Sequence, residues 1–319
     1  MPPPGHGTLY RLSSARWVAV AARDGRSTRV GGVVAVLVEL AVGDAYGAGF
    51  EYADRPFVAR GNTLAGYVQH PRHRDVLPGR YTDDTQMSIA VAEWLLGDDH
   101  GVPALADLFV RAYRRDPRAG YARGFRGVLA DVADGTQLME VLRPESDKSG
   151  AAMRAGVLGL LPEVAEVRRM AATQARITHR TLGGMTSATA AALAVHYCRY
   201  ALGPVAELPR WLAATLPAST GPAVWTEPWR GKVGSPGMDS TRAAITALTA
   251  HTGTAALLKA CVAYTGDVDT VATIALAAAS CSAEYAQDLP AVLVAGLENG
   301  PYGHDHLAGL DARLATRFG

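Results

Sequence analysis

Cysteine is scarce in this chain of 319 residues. The three cysteines, Cys198, Cys261 and Cys281, are odd in number and far apart, and none belongs to a Cys-x-x-Cys pair. A disulfide framework needs an even set of cysteines at regular spacings. We therefore expect buried, reduced thiols in a cytoplasmic protein.

A strong net charge and long apolar runs are also missing. The net charge is +1, so the composition gives no sign of a dedicated surface for nucleic acid or anionic membranes. The longest apolar segment, residues 33–42, is interrupted by Glu39 and is shorter than the ~18–20 residues of a membrane span. With 49% hydrophobic and 19% charged residues, the chain is typical of a globular protein that does not cross a membrane.

The first thirty residues differ in composition from the rest. They contain prolines at positions 2–4, little acid and the arginines Arg11, Arg16, Arg23, Arg26 and Arg29. A transit peptide has a similar composition, but an ill-packed N-terminal extension is the simpler interpretation. We expect residues 31–319 to form a single catalytic domain.

Alternation of apolar and polar residues with period two is almost absent, whereas alanine is abundant and apolar residues recur every three or four positions. This pattern predicts a compact, orthogonal, all-α bundle of many helices with long functional loops over residues 52–80, 140–150 and 203–237. The predicted helices cover residues 31–45, 83–96, 102–115, 123–133, 151–161, 164–178, 187–202, 241–250, 255–265 and 269–286.

Two short acidic strings carry most of the chemistry. They read Thr82-Asp83-Asp84-Thr85 and Asp267-Val268-Asp269-Thr270, and each precedes an apolar, helix-like run. Either string alone is explained by a capped helix, since Thr82 suits an N-cap and carboxylates stabilise a helix N-terminus. If the fold brings both strings together, their mutual repulsion calls for a cation, and oxygen-only ligands suit Mg²⁺ or Mn²⁺.

Three weaker features accompany these strings. Residues 43–51 place Asp44 and Glu51 on either side of a glycine-punctuated turn, although the glycines alone are typical of helix C-caps. Residues 148–154 form a small-residue turn before a predicted helix, which suits phosphate or an ordinary Ser149 cap. His179 follows an apolar helix, where a lone histidine more often has no catalytic role.

Together, these pieces resemble the ADP-ribosylglycohydrolase family, which includes the dinitrogenase reductase-activating glycohydrolase and the ADP-ribosylarginine and ADP-ribosylserine hydrolases. The resemblance extends from about residue 31 to near the C-terminus and rests on strings in the family's order, namely residues 43–51, 81–87, 149–154, 178–179 and 266–270. The tail over residues 296–301 also fits. The chain departs from the family at Thr265, where Gly is usual, and at Ser149, where Asn is common.

The resemblance implies an all-α fold with two Mg²⁺ or Mn²⁺ ions at the base of a cleft. One ion would be held by Thr82, Asp83 and Asp84. The other would be held by Asp267, Asp269 and Thr270, with Asp269 as a bridge.

The same resemblance assigns roles around these ions. Glu51 is the first choice for acid–base work, and Asp83 or Asp84 is the second. The pyrophosphate would lie on the turn made by Ser149, Gly150, Ala151 and Ala152, and His179 would lie near the bound ADP-ribose. Tyr121 and Tyr302 are both candidates to stack on adenine.

The implied reaction is metal-dependent removal of mono-ADP-ribose from arginine or serine side chains of a modified protein, with ADP-ribose as the product. Its transition state would carry oxocarbenium character. Two alternatives stay open at this point. One is a non-catalytic ADP-ribose-binding relative, and the other is a metal-dependent hydrolase of a free ADP-ribosyl or ribosyl small molecule or of ADP-ribosylated nucleic acid. We expect a monomer.

Overall fold

The computed structural model describes residues 35–319, so the predicted extension over residues 1–30 lies outside the described residues. Residues 35–319 contain fifteen α-helices and four short 3-10 turns, and the all-α prediction is confirmed. In this range there is no β-strand, only isolated bridges such as that between Glu145 and His179. The same residues contain no helix that is long and apolar enough to cross a membrane.

The helices are, in chain order, α1 (Val36–Ala48), α2 (Arg55–Gly61), α3 (Asp83–Leu96), α4 (Val102–Arg115), α5 (Arg123–Asp131), α6 (Gly135–Val141), α7 (Val164–Ala175), α8 (Leu182–Arg199), α9 (Leu208–Thr215), α10 (Ala223–Thr226), α11 (Gly237–Ala250), α12 (Thr254–Ala263), α13 (Val268–Ser280), α14 (Ala291–Gly296) and α15 (His304–Phe318). The 3-10 turns cover Ser149–Ala151, Gly156–Leu160, Val205–Glu207 and Ala218–Thr220.

Helix α13 lies at the centre of the fold and is buried from Val268 to Ala279. Helix α1 packs directly against it because α1 carries glycines at positions 43 and 47. A Cβ added at Gly43 would lie 2.8 Å from the Ala272 carbonyl oxygen, and one added at Gly47 would lie 2.4 Å from the Asp269 Cα. The two backbones therefore meet with no side chain between them, which brings the C-terminal half of α1 to the start of α13.

Two helix starts are capped by carboxylates from distant parts of the chain. The Asp311 carboxylate of α15 accepts the backbone N–H groups of Leu37 and Val38 at 2.9–3.1 Å, which α1 itself leaves without a side-chain cap. The Asp44 carboxylate of α1 accepts the backbone N–H of Thr82 at 2.9 Å and that of Thr85 at 2.9 Å. These long-range hydrogen bonds fix the positions of α1, α3 and α15 relative to one another.

Most predicted helices are present, and those over residues 83–96 and 102–115 match α3 and α4 to the residue. The predicted helix over residues 151–161 is wrong, since this segment forms parts of two 3-10 turns. Its backbone packs directly against α8, and a Cβ at Gly159 would lie 2.5 Å from the Ala192 carbonyl oxygen. These tertiary contacts outweigh the local helix propensity of the segment.

The ends of other predicted helices also shift. Helix α13 stops at Ser280 rather than 286, because Ala286 pairs instead with the turn at residues 252–254 through the bonds Ala286 N–H to Thr252 O and Thr254 N–H to Ala286 O. The predicted loops over 52–80 and 203–237 contain α2 and α9–α10, and α14 and α15 lie beyond the last predicted helix.

Candidate functional site

A cavity of about 670 Å³ opens where the ends of several elements meet. A ligand of nucleotide size fits a cavity of this volume. Its walls come from the turn after α1, the N-termini of α3 and α13, the segment around α5, and the stretch from α6 through the first 3-10 turn to the start of α8. The lining includes Glu51, Tyr52, Asp83, Asp84, Gly120, Phe125, Val128, Leu142, Arg143, Lys148, Ser149, Gly150, Arg154, Thr178, His179, Asp267, Asp269 and Thr270.

Carboxylates form the floor of this cavity. Glu51, Asp267 and Asp269 each offer an oxygen, and these oxygens all lie within 4.8 Å of one another. Asp84 is buried at the same floor, and its Oδ2 has no hydrogen-bond partner among residues 35–319. The two acidic strings and Glu51 therefore converge on one place, as the sequence pattern required for a cation site.

The pKa values of these carboxyls are raised. Burial, followed by the charges of Asp267 and Asp44, raises the pKa of Glu51 to about 8. Burial and repulsion from neighbouring carboxylates raise the pKa values of Asp83, Asp84 and Asp269 well above the usual range. A positive charge placed among these carboxyls would lower their pKa values and favour release of their protons.

Asp267 is the carboxyl of the floor that accepts hydrogen bonds from several hydroxyl groups. Burial raises its pKa to about 6, and hydrogen bonds from Ser240, Ser149 and Thr270 oppose the rise. The Ser240 hydroxyl donates to the Asp267 Oδ2 at 2.6 Å. Asp267 is thus the carboxyl of this floor that ionises most easily.

The donor set fits a divalent cation. It consists of oxygens alone, several carboxylates lie close together, and one buried carboxylate oxygen, Asp84 Oδ2, has no hydrogen-bond partner within the described part of the chain. Hard cations such as Mg²⁺ and Mn²⁺ take such ligands. The tightest cluster joins Glu51 to Asp267 and Asp269, which differs from the ligand grouping expected from the resemblance.

Thr82, Ala151 and Ala152 do not line the cavity, although each belongs to the predicted site. Thr82 is buried, and its hydroxyl donates to Asp44 at 2.7 Å instead of capping α3. Ala151 and Ala152 are fully buried behind the turn. The other predicted site residues, Glu51, Asp83, Asp84, Ser149, Gly150, His179, Asp267, Asp269 and Thr270, all line it.

Neither predicted adenine-stacking tyrosine lines the cavity. The Tyr121 hydroxyl donates to Gln86 Oε1 at 2.7 Å in the core, and the Tyr302 ring lies 4.5 Å beneath the Arg115 guanidinium. Phe125 and Tyr52 are the aromatic residues of the cavity wall instead. Phe125 follows Tyr121 by four residues in the chain.

Asp44 and Gly120 are structural supports of the site that sequence reasoning missed. Asp44 accepts hydrogen bonds from the hydroxyls of Thr82 and Thr85 at 2.7 and 2.6 Å, in addition to their N–H groups, and so aims the first turn of α3. Gly120 has φ +99°, and a Cβ there would lie 1.9 Å from Asp83 Oδ1. In the sequence, Asp44 was noticeable as an acid next to the glycines of residues 43–51, whereas nothing singled out Gly120.

The fold and the cavity define an all-α protein with a carboxylate-floored site of ligand size. The model of the family described as ADP-ribosylglycohydrolase matches residues 26–319. The chain belongs to the ADP-ribosylglycohydrolase family, as the resemblance predicted.

The individual relatives match only part of the chain. The chain is 31% identical over 127 residues to ADP-ribosylhydrolase ARH3 of Xenopus tropicalis, covering 37% of this chain and 36% of the relative. It is 29% identical over 175 residues to ARH3 of Mus musculus, covering 49% and 45%. These alignments span less than half of the curated relatives' own length.

A solved structure supports the fold. The chain aligns with a protein described as an ADP-ribosylglycohydrolase-related protein complex at a TM-score of 0.70 and 21% identity, covering 89% of this chain and 96% of the other. At this identity the likeness concerns the fold alone.

Proposed function

We propose that this protein is a metal-dependent ADP-ribosylhydrolase that removes mono-ADP-ribose from arginine or serine side chains of modified proteins. The observation that carries the proposal is the division of one cavity into three chemically different parts: a carboxylate floor, a polar turn with nearby cations, and an apolar wall. ADP-ribose has three corresponding parts, namely a ribose with free hydroxyls, a pyrophosphate and an adenosine.

The carboxylate floor suits the reacting ribose. Glu51, Asp83, Asp84, Asp267 and Asp269 would hold one or two Mg²⁺ or Mn²⁺ ions. When bound, such ions supply positive charge that orients ribose hydroxyls and polarises water. Glu51 belongs to this cluster and lines the cavity, where a carboxyl can exchange a proton with water or substrate.

The polar turn suits the pyrophosphate. Ser149 and Gly150 line the cavity at this turn, and the backbone N–H of Gly150 has no backbone acceptor among residues 35–319. The side chains of Lys148 and Arg143 lie on the same wall, and both are exposed to solvent. Positive charge beside free N–H groups stabilises an anionic ligand.

The apolar wall suits adenine. Phe125, Val128, Val141 and Leu142 line the part of the cavity formed by α5 and the end of α6. Val141 is 53% exposed, so this part of the cavity offers apolar surface that a ligand can cover. We propose Phe125 as the stacking residue.

The direct experiment measures ADP-ribose release from arginine-linked and serine-linked mono-ADP-ribosylated peptides, from a free ADP-ribosyl compound and from ADP-ribosylated nucleic acid. We expect release from at least one peptide, its loss in EDTA and its recovery with Mg²⁺ or Mn²⁺. Asp269→Asn should abolish turnover, whereas Asp98→Asn, an exposed carboxylate outside the cavity, should not change it. Full activity after exhaustive chelation would refute the metal-dependent mechanism.

The same experiment separates the alternatives. Binding of ADP-ribose without turnover of any substrate would identify a non-catalytic ADP-ribose-binding relative. Turnover of the small molecule or the nucleic acid alone would identify the other class of hydrolase. A monomeric state and a cytoplasmic location stay predictions from the sequence, to be checked by light scattering and by fractionation.

A further inference from the structure

Arg154 is a buried cation in the wall of the cavity. It is 1% exposed, and its guanidinium lies 4.4 Å from the centroid of the Phe109 ring. Its Nε donates to Gln174 Oε1 at 2.6 Å, and its Nη2 donates to Thr178 Oγ1 at 2.7 Å. Among residues 35–319 it forms no salt bridge with a carboxylate within 4.0 Å. A buried guanidinium without an acidic partner uses its N–H groups to orient neutral acceptors.

The hydroxyl of Thr178 is oriented by this arginine. Its Oγ1 also lies 2.6 Å from His179 Nδ1. Arginine can only donate, so the contact with Arg154 occupies a lone pair of Oγ1. The hydroxyl hydrogen needs an acceptor, and within residues 35–319 the only one in hydrogen-bond contact is His179 Nδ1. If the Thr178 hydroxyl donates to Nδ1, the ring proton of the neutral His179 lies on Nε2.

The Nε2 edge of His179 faces the turn that begins at Ser149. A Cβ added at Gly150 would lie 3.0 Å from His179 Cε1 and 3.4 Å from Nε2. Within the described part of the chain, Nε2 has no hydrogen-bond partner, and His179 lines the cavity. The absence of a side chain at position 150 leaves this N–H open to a ligand.

We propose that Arg154 and Thr178 are positioning residues that hold His179 as a neutral imidazole with its N–H on Nε2, aimed at an oxygen of the ligand beside Gly150. The identity of that ligand, an anionic ADP-ribosyl compound, rests on the proposed function, whereas the tautomer does not. Burial and the positive charge of Arg154 lower the pKa of His179 to about 3. The histidine is thus a donor without being a cation.

The test begins with NMR of protein carrying ¹⁵N-labelled histidine and no ligand, because protonated and unprotonated ring nitrogens resonate far apart. The His179 signals are those lost in His179→Gln among the nine histidines of the chain. We expect an unprotonated Nδ1 and a protonated Nε2 in the wild type and in Thr178→Ser. In Thr178→Val, which removes the hydroxyl and keeps the shape, we expect a mixture of tautomers.

Affinity for ADP-ribose provides the second readout. Loss of one oriented hydrogen bond to the ligand weakens binding about tenfold in Thr178→Val, and Thr178→Ser should bind as the wild type does. A protonated Nδ1 in the wild type, or a Thr178→Val spectrum identical to the wild type, would overturn the inference. If the wild type binds no ADP-ribose, the proposed function fails, and the ligand-free spectra alone decide the tautomer.

Arg154→Gln tests whether Arg154 orients the Thr178 hydroxyl. The glutamine amide no longer guarantees a donor to Thr178, so the hydroxyl can turn away and the tautomer mixture should appear here too. Circular dichroism checks that the variant is folded, and Thr178→Val decides the question if it is not. A folded Arg154→Gln protein that keeps the wild-type spectrum would remove Arg154 from the proposal.

Discussion

Replacing Gly47 by alanine tests how the fold builds the carboxylate floor. The added Cβ would lie 2.4 Å from the Asp269 Cα, which is 1.0 Å closer than the 3.4 Å at which ordinary contact begins. The atom it meets is backbone, so relief requires α1 and α13 to separate. Forcing such an overpacked contact costs about 1–3 kcal/mol, and each kcal/mol lowers the Tm of a protein of this size by about 2–4 °C.

The change acts on the site as well as on stability, because Asp269 is the residue displaced. We expect Gly47→Ala to lower the Tm in EDTA and to weaken Mg²⁺ binding, measured as a smaller Mg²⁺-induced rise in Tm. Gly309→Ala is the matched control, since Gly309 is an exposed residue of α15 whose Cβ would meet nothing within 4 Å. That variant should be unchanged or slightly more stable, by about 0.5–1 kcal/mol. A Gly47→Ala protein with wild-type Tm and Mg²⁺ response would refute the reasoning.

Three further predictions concern separate parts of the molecule. Asp311→Ala leaves the first N–H groups of α1 without an acceptor and should cost about 1–2 kcal/mol in urea unfolding, while an unchanged midpoint would show that the cap contributes nothing. The raised pKa of Glu51, about 8 against 4.5 in the unfolded chain, means that the folded metal-free protein keeps a proton that the unfolded chain loses. Its stability should therefore fall as the pH rises from 4.5 to 8, and its Mg²⁺ affinity should rise, because cation and proton compete. Glu51→Gln should make both curves less steep without removing the slope, because other buried carboxyls of the floor also have raised pKa values, and curves parallel to those of the wild type would contradict the assignment. Phe125→Ala should weaken ADP-ribose binding by about 1–3 kcal/mol in calorimetry, whereas Tyr302→Ala, outside the cavity, should not change it.

Much of the helical structure was predictable because it is local. Helices α3 and α4 begin and end where their propensity and periodicity indicate. The segment over residues 151–161 could not be predicted in this way. Its conformation depends on the close approach of Gly159 to α8 and on the hydrogen bonds of Arg154, and neither is visible in the neighbouring sequence.

The candidate site was predictable to the extent that its residues occur in short strings. Glu51, Asp83, Asp84, Asp267 and Asp269 all line the cavity, and the family is the one that their strings resemble. Which aromatic residue of the cavity wall faces the cavity was not predictable. Tyr121 precedes α5 and Phe125 lies within it, and Phe125 alone of the two lines the cavity, which depends on how this segment packs against α4.

The sequence by itself determined the helical class, the family and the chemical type of the site, because alanine-rich periodicity and clustered acids are properties of adjacent residues. Only the tertiary structure decided that the acids share one floor, since that depends on α1 meeting α13 at two glycines. It also decided that Asp44 supports α3 instead of lining the cavity, and that a buried arginine orients His179. Such relations join residues far apart in the chain, and they exist only once burial and hydrogen-bond satisfaction have been settled for the whole fold at once.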